Sequence, residues 1–174
     1  AGSVNPVYEA SVEWLANEGH WKELNNRFFK KLAFGTGGLR GRSIGEIVTP
    51  AERGSAPEGG RPEFPCVGTG NLNFYNLTRA TLGLVRHLLK AHAGPGRPSI
   101  AIARDTRWFG KEFADCVTRV AIENGCDVHR FIEPRSTPHL SFAVRHLGTT
   151  AGIVLTASHN PPHDNGYKVY GSDG

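Results

Sequence analysis

Three observations predict an α/β fold, a three-layer α/β/α sandwich around a mixed, roughly four-stranded sheet. Short strand-like runs at residues 99–103, 127–132 and 151–155, the first of them apolar, alternate with stretches whose apolar residues recur at helical spacing. A β-α-β-α-β run of this kind places its strands parallel, joined by right-handed crossovers. Leu155 and Tyr167 are separated by only 11 residues, too few for the helical crossover that parallel pairing requires. The strand at 167–170 therefore returns antiparallel, and the sheet is mixed.

The elements follow in chain order. Asn5-Pro6 has the pattern of an N-cap followed by a first-turn proline, Val12, Leu15 and Ala16 give a helical face, and Gly19 stops it. Trp21, Leu24 and Phe28 recur at helical spacing in a second short helix. Residues 50–70 hold four Pro and five Gly and are expected to form an exposed, irregular insertion. A longer helix carries the stripe Leu77, Ala80, Leu84, Leu88 and Ala91, ended by Gly94-Pro95-Gly96. Between the strands, Phe113, Val117, Val120 and Ala121 mark one helix, closed by Gly125. Leu140, Ala143, Val144 and Leu147 mark the next, with Thr137-Pro138 as its cap and first turn and Gly148 as its stop.

The chain has 174 residues, room for one domain. Residues 8–174 are read as that domain. Ala1-Gly2-Ser3 lacks a basic-then-apolar signal pattern, and residues 1–7 are read as a leader or the remnant of a cleaved tag. No closing element follows the last strand, so the end at Gly174 reads as a boundary inside a longer protein. No apolar run approaches the roughly 18 residues of a membrane span. The net charge of +4 suits a phosphate-bearing partner or an ordinary solvated surface. Without a Lys/Arg block or an RNA-binding aromatic motif, neither a nucleic-acid nor a membrane partner is expected. Cys66, Cys116 and Cys126 are odd in number and lack CxxC spacing, which fits reduced thiols in a cytoplasmic protein.

The sharpest motif is the loop Thr156-Ala157-Ser158-His159-Asn160-Pro161-Pro162-His163-Asp164-Asn165-Gly166, which leads to Lys168. It leaves the carboxyl end of a parallel strand, where open α/β sheets place ligands. Small hydroxyl residues and free backbone N–H groups there hold a phosphate, and Ser158 is a candidate nucleophile or phosphoryl carrier. A serine hydroxyl needs a base or a cation beside it, and His159 and Lys168 are the local candidates. A polar turn without chemistry is the competing reading.

Phe34-Gly35-Thr36-Gly37-Gly38-Leu39-Arg40-Gly41 is the second motif. Its glycines permit close backbone approach to a ligand, and Arg40 offers a planar fork for phosphate oxygens. It matches neither a nucleotide P-loop nor a dinucleotide fingerprint, and a plain β-turn is the alternative. Arg104-Asp105-Thr106-Arg107 and Arg135-Ser136-Thr137-Pro138 follow the other two parallel strands. Asp105 either orients a neighbouring loop or, as the commoner use, caps the next helix. Three polar loops thus share one sheet edge. His87, His92, His139 and His146 form no HExxH-type pair, and no metal is assigned to them.

These residues resemble the α-D-phosphohexomutases, specifically the phosphoglucomutase/phosphomannomutase enzymes. Thr156-Ala157-Ser158-His159-Asn160-Pro161 is similar to their phosphoserine signature, Asn165-Gly166-Tyr167-Lys168 to its downstream partner, and residues 34–41 to their Gly-rich arginine loop. The resemblance implies the first, phosphoserine-bearing domain of an isomerase of carbohydrate metabolism. Ser158 would carry a phosphoryl group and exchange it with a hexose phosphate through a bound bisphosphosugar, moving phosphate between C1 and C6. Arg40 and Lys168 would neutralise charge and assist proton transfer, and His159 would position or polarise the phosphoserine. Thr36, Gly37, Gly38 and Asn160 would contact phosphate or substrate. Mg²⁺ would bind a phosphoserine oxygen on Ser158, its other ligands lying outside this chain, and glucose 1,6-bisphosphate would serve as activator. Partners would be the phosphosugar and the enzyme's own further domains, without which the fragment would be inactive. Phosphopentomutase or glucose-1,6-bisphosphate synthase activity, and a non-catalytic phosphate-binding module, are the alternatives. The chain departs from the family pattern at Arg104, where relatives have Tyr, at Gly37 in place of Ala, and at Arg135-Ser136-Thr137-Pro138 in place of RPTP.

Overall fold

The computed structural model describes residues 5–35 and 37–174. Residues 1–4, which include the tag-like Ala1-Gly2-Ser3, and Thr36, expected at phosphate, lie outside the described residues. The described elements are α1 (Pro6–Asn17), α2 (Trp21–Phe28), β1 (Gly38–Arg42), α3 (Pro50–Arg53), α4 (Phe74–Ala91), β2 (Ser99–Arg104), α5 (Gly110–Glu123), β3 (Asp127–Arg130), α6 (Thr137–Leu147), β4 (Ala151–Leu155) and β5 (Asp164–Tyr170). The sheet is mixed, as expected, with strand order β1-β5-β4-β2-β3. β2 pairs parallel with β3 and β4, and β5 runs antiparallel between β4 and β1.

Strand alternation builds the three layers. Ile100, Ile102, Ile153, Leu155 and Tyr167 face one side, where Leu77, Val85 and Leu88 of α4 and Phe113, Val117 and Ala121 of α5 cover them. Ala101, Ala103 and Val154 face the other side, under Leu140 and Val144 of α6. Each of these larger side chains, fully withdrawn from water, contributes about 1.5–3 kcal/mol. Tyr167 is fully buried, its hydroxyl 3.4 Å from Thr81 Oγ1 on α4, and burial pushes its phenol pKa up.

β1 is a fifth strand beyond the roughly four expected. It comes from the glycine-rich segment itself, in register Gly38↔Lys168, Arg40↔Gly166 and Arg42↔Asp164. Glycine and arginine carry little strand signal. The close approach of the two strands, rather than propensity, explains these residues. A Cβ on Gly38 would sit 2.1 Å from Tyr167 O, and one on Gly166 would sit 3.0 Å from Leu39 O.

The expected face of α2 is corrected. Trp21 is 65% exposed and Phe28 39%, while Glu23 and Arg27 are buried. The reason lies in the 50–70 segment, which is irregular and largely exposed over residues 54–61, as its composition predicts, but buries Glu52 and residues 65–68. Thr49 and Glu52 form a reciprocal capping box around α3. The Glu52 carboxylate also accepts from Val67 N at 2.7 Å and from Arg27 Nη1 at 2.5 Å. Glu23 holds Arg27 Nε at 2.8 Å, and Ile47 O accepts from Nη2 at 2.5 Å. Cys66 and Val67 are buried beside this cluster, and burial pushes the Cys66 thiol up, which keeps it unreactive. A charged pin therefore joins α2, α3 and the approach to α4, and its middle is buried.

Two smaller departures concern helix starts. Ser136, not Thr137, occupies the N-cap position of α6, with Pro138 in its first turn. α5 starts after Phe109, a residue at φ 61°, so Asp105 does not cap it. α1 has its expected cap and first-turn proline, with Asn5 Oδ1 accepting from Val7 N at 3.0 Å, but of its expected face Leu15 is buried while Val12 is exposed.

Candidate active site

Ser158 follows β4 by three residues, at the carboxyl edge of the parallel strands. It has φ 55°, a left-handed conformation costing a non-glycine residue roughly 1–2 kcal/mol. Several bonds oppose that cost. Ser158 N donates to Thr156 Oγ1 at 2.9 Å, and Thr156 Oγ1 donates to Asp105 Oδ2 at 2.5 Å. Asp105 therefore orients the neighbouring loop, the less common of the two uses its position allows. Asn160 N closes a turn on Ala157 O at 3.0 Å, and Thr156 N is held by Gly166 O at 3.0 Å.

The Ser158 hydroxyl is exposed and meets one cation directly: Lys168 Nζ donates to Oγ at 2.7 Å. Register explains the meeting. Lys168 stands opposite Val154 of β4 and Gly38 of β1, so it rises on the α6 side of the sheet. α6 packs over β2 and β4, which leaves this side of β5 and β1 open. Arg40, two residues beyond Gly38, emerges on the same side as a diagonal neighbour of Lys168. The structure thus joins the two motifs that are 118 residues apart at Arg40 and Ser158. Gly37, at φ 77°, turns the chain into β1 and accepts from Val169 N through its carbonyl at 3.3 Å. Arg40 also lines a depression of about 310 Å³ with Ala33, Gly35 and Gly38.

The other predicted residues are placed as follows. His159 is exposed beside Ser158. Asn160, expected at phosphate, directs its amide into the loop, where Nδ2 donates to Asp164 Oδ2 at 3.0 Å. Arg135 faces its own loop, over the Phe131 ring at 5.8 Å with Nη1 on Pro134 O at 2.8 Å. His139 and His146 lie against Phe131 and Phe142. Among the described residues, no group of three or more His, Cys, Asp or Glu is arranged to hold a metal ion. Arg107 stands in the sequence only as part of a polar loop. In the structure its guanidinium contacts four backbone carbonyls of the Ser158 loop. The Asp-x-Arg spacing after β2 is the only trace of it in the sequence.

Charge shapes the amine. The Lys168 pKa is lowered, first by partial burial and then by the like charge of Arg40, with Asp105 opposing. Removing the Arg40 charge therefore raises it. In Arg40→Met, NMR titration of the Lys168 amine should give a higher midpoint than in the unmodified chain. An unchanged or lower midpoint would contradict the placement of these two cations.

The family described as "Phosphoglucomutase/phosphomannomutase, alpha/beta/alpha domain I" matches residues 65–174, which include Ser158 and Lys168. The chain belongs to this family. Among curated relatives, it is 40% identical over 152 residues to a phosphoglucomutase of Staphylococcus aureus strain USA300. That match covers 87% of this chain and 23% of the relative. A phosphoglucomutase of Staphylococcus haemolyticus is 40% identical over 147 residues, covering 84% of this chain and 22% of the relative. Among solved structures, one assigned as a phosphomannomutase from Thermus thermophilus superposes with a TM-score of 0.61 at 31% identity. That match covers 82% of this chain and 26% of the other. A phosphoglucomutase/phosphomannomutase family protein of Burkholderia thailandensis, at 23% identity and TM-score 0.51, shares the fold. The chain spans about a quarter of the length of these relatives. Arg40 lies outside the 65–174 match and is tied to the site through β1.

Proposed function

We propose that this chain is the phosphoserine-bearing first domain of a phosphohexomutase, an isomerase that moves phosphate between C1 and C6 of a hexose phosphate. The observation that carries the reading is the Ser158 Oγ–Lys168 Nζ contact of 2.7 Å on the open side of the sheet, with Arg40 beside it. Phosphoryl transfer depends mostly on positioning and charge stabilisation, and this arrangement supplies both.

With a phosphoryl group on Ser158, the P–Oγ bond breaks as a sugar hydroxyl oxygen forms its own bond to phosphorus. The electron pair returns to Oγ, where the Lys168 ammonium hydrogen-bonds the developing alkoxide and supplies its proton, while the proton released by the sugar hydroxyl passes through solvent and restores the Lys168 ammonium. Arg40 stabilises charge on the equatorial oxygens. His159, exposed beside the serine, positions the phosphoryl group. The bisphosphosugar then turns and returns its other phosphate to Ser158.

Mg²⁺ would supply charge neutralisation at the phosphoryl group. A phosphoserine oxygen suits this hard cation, which takes oxygen ligands and commonly binds phosphate, but the carboxylate of Asp105 is already engaged by Arg107 and Thr156. The remaining ligands belong to other parts of the protein, as does most of the sugar site, and this chain alone is inactive in the proposed reaction. Glucose 1,6-bisphosphate is the proposed phosphoryl donor and activator.

The test is intact-mass analysis of the full-length protein after incubation with glucose 1,6-bisphosphate, together with a coupled assay on glucose, mannose and ribose 1-phosphates. One added phosphoryl group, and turnover of glucose 1-phosphate above ribose 1-phosphate, is the expected result. Phosphate binding with neither label nor turnover would overturn the reading in favour of a non-catalytic module.

A further inference from the structure

Resting on that reading, the geometry points to Arg107 as the positioning residue of the Ser158 loop, a group that sets the rate of phosphoryl transfer without touching the substrate. A guanidinium has five N–H donors, and in Arg107 all five are engaged. Nε donates to Asp105 Oδ2 at 3.2 Å. Nη1 donates to Pro161 O at 2.8 Å and Asp164 O at 3.0 Å. Nη2 donates to Ser158 O at 2.8 Å and Asn160 O at 2.7 Å. No donor remains for a phosphate, which separates Arg107 from Arg40 and Lys168.

The loop explains why a guanidinium stands there. Four carbonyl oxygens from residues 158–164 converge on one point, and their partial negative charges repel unless a cation lies among them. The side chain is only 12% exposed, so water replaces it poorly. The carbonyl of Ser158 is one of the four, so the clamp acts on the residue whose φ is 55°. Asp105 orients the clamp from behind, accepting from Arg107 N at 3.0 Å as well as from Nε. Through Thr156 Oγ1 it also reaches Ser158 N. The peptide units on both sides of Ser158 are therefore tied to one Asp-x-Arg unit on the turn after β2. Release of either tie lets the serine leave its left-handed conformation and carries Oγ away from Lys168 Nζ.

Lysine cannot replace this residue, because three donors on a point charge do not reproduce a planar fork. In the full-length protein, Arg107→Lys should lower kcat about 100-fold with KM nearly unchanged, the scale expected when a reacting group is misplaced by an ångström. Arg107→Ala should lose more and regain part of kcat with added methylguanidinium. Amide hydrogen exchange should accelerate across residues 157–164 in Arg107→Lys, while β4 and β5 stay protected. Wild-type kcat in both variants, or a loss carried entirely by KM, would overturn the inference. So would unchanged loop exchange in Arg107→Lys, a result that requires no activity. Should Arg107→Ala fail to fold, Arg107→Lys decides on the same kcat–KM split. Absence of labelling and turnover in the unmodified full-length protein would instead count against the proposed function, leaving the exchange measurement to judge the clamp.

Discussion

Ser158→Ala in the full-length protein is expected to abolish both phosphoryl labelling by a sugar bisphosphate and mutase turnover while leaving the fold nearly unchanged. The hydroxyl is the proposed carrier. Among the described residues, no other serine or threonine oxygen is bonded to Lys168 Nζ, so none of them offers the phosphoryl group the same geometry. The side chain is exposed, and substitution there should change stability by no more than about 0.5 kcal/mol. A companion variant separates chemistry from backbone. Ser158→Gly removes the hydroxyl and also relieves the left-handed φ of 55°, so it should be equally inactive yet more stable than Ser158→Ala, by roughly 1 kcal/mol. Intact mass and denaturant midpoints read both effects. Label retained in Ser158→Ala and mapped to another residue would remove Ser158 from the mechanism.

The second large effect concerns stability. Arg27→Ala should cost about 3–5 kcal/mol, the range for breaking a buried ion pair by removing one partner. Total stabilities of roughly 5–15 kcal/mol are usual, so the variant would be marginal near physiological temperature. Arg27 is 1% exposed and lies between Glu23 and Glu52, themselves 5% and 1% exposed. Its removal leaves two buried carboxylates without their cation, and frees the Ile47 and Val67 carbonyls that Nη2 and Nη1 also serve. Combining Arg27→Met with Glu52→Gln should recover part of the loss, because the second change removes a stranded charge; the double-mutant cycle measures the coupling. A midpoint for Arg27→Ala within experimental error of the unmodified chain would show that the pin contributes nothing. The consequence reaches the site, since Gly70 N bonds to Arg27 O and Leu72 N to Arg42 O, which ties the pinned segment to the end of β1, the strand that carries Arg40.

Legibility differs by the range of the interaction involved. The units β2-α5-β3-α6-β4 are readable because each is stated by neighbouring residues: Phe113, Val117, Val120 and Ala121 recur at helical spacing, Gly125 closes that helix, and the runs at 99–103 and 151–155 are short and apolar. The antiparallel return of β5 follows from counting a connection too short to cross over. β1 is not readable as a strand. Its Gly-Leu-Arg-Gly-Arg sequence carries the imprint of a tight neighbour, β5, rather than of strand propensity. The buried face of α2 is hidden for a related reason, since Glu23 and Arg27 look solvent-facing until Glu52 arrives from 25 residues beyond Arg27.

By itself the sequence determined the α/β class, the mixed sheet, and the Ser158 and Arg40 motifs with the family they resemble, because these rest on local periodicity and contiguous wording. Only the tertiary structure decided that Lys168 reaches Oγ, that Arg40 emerges on the same open side, and that Arg107 engages four carbonyls of the serine loop. Those are relations between strands and loops distant along the chain. Their geometry follows from register and from burial of the sheet's faces, which no local pattern encodes.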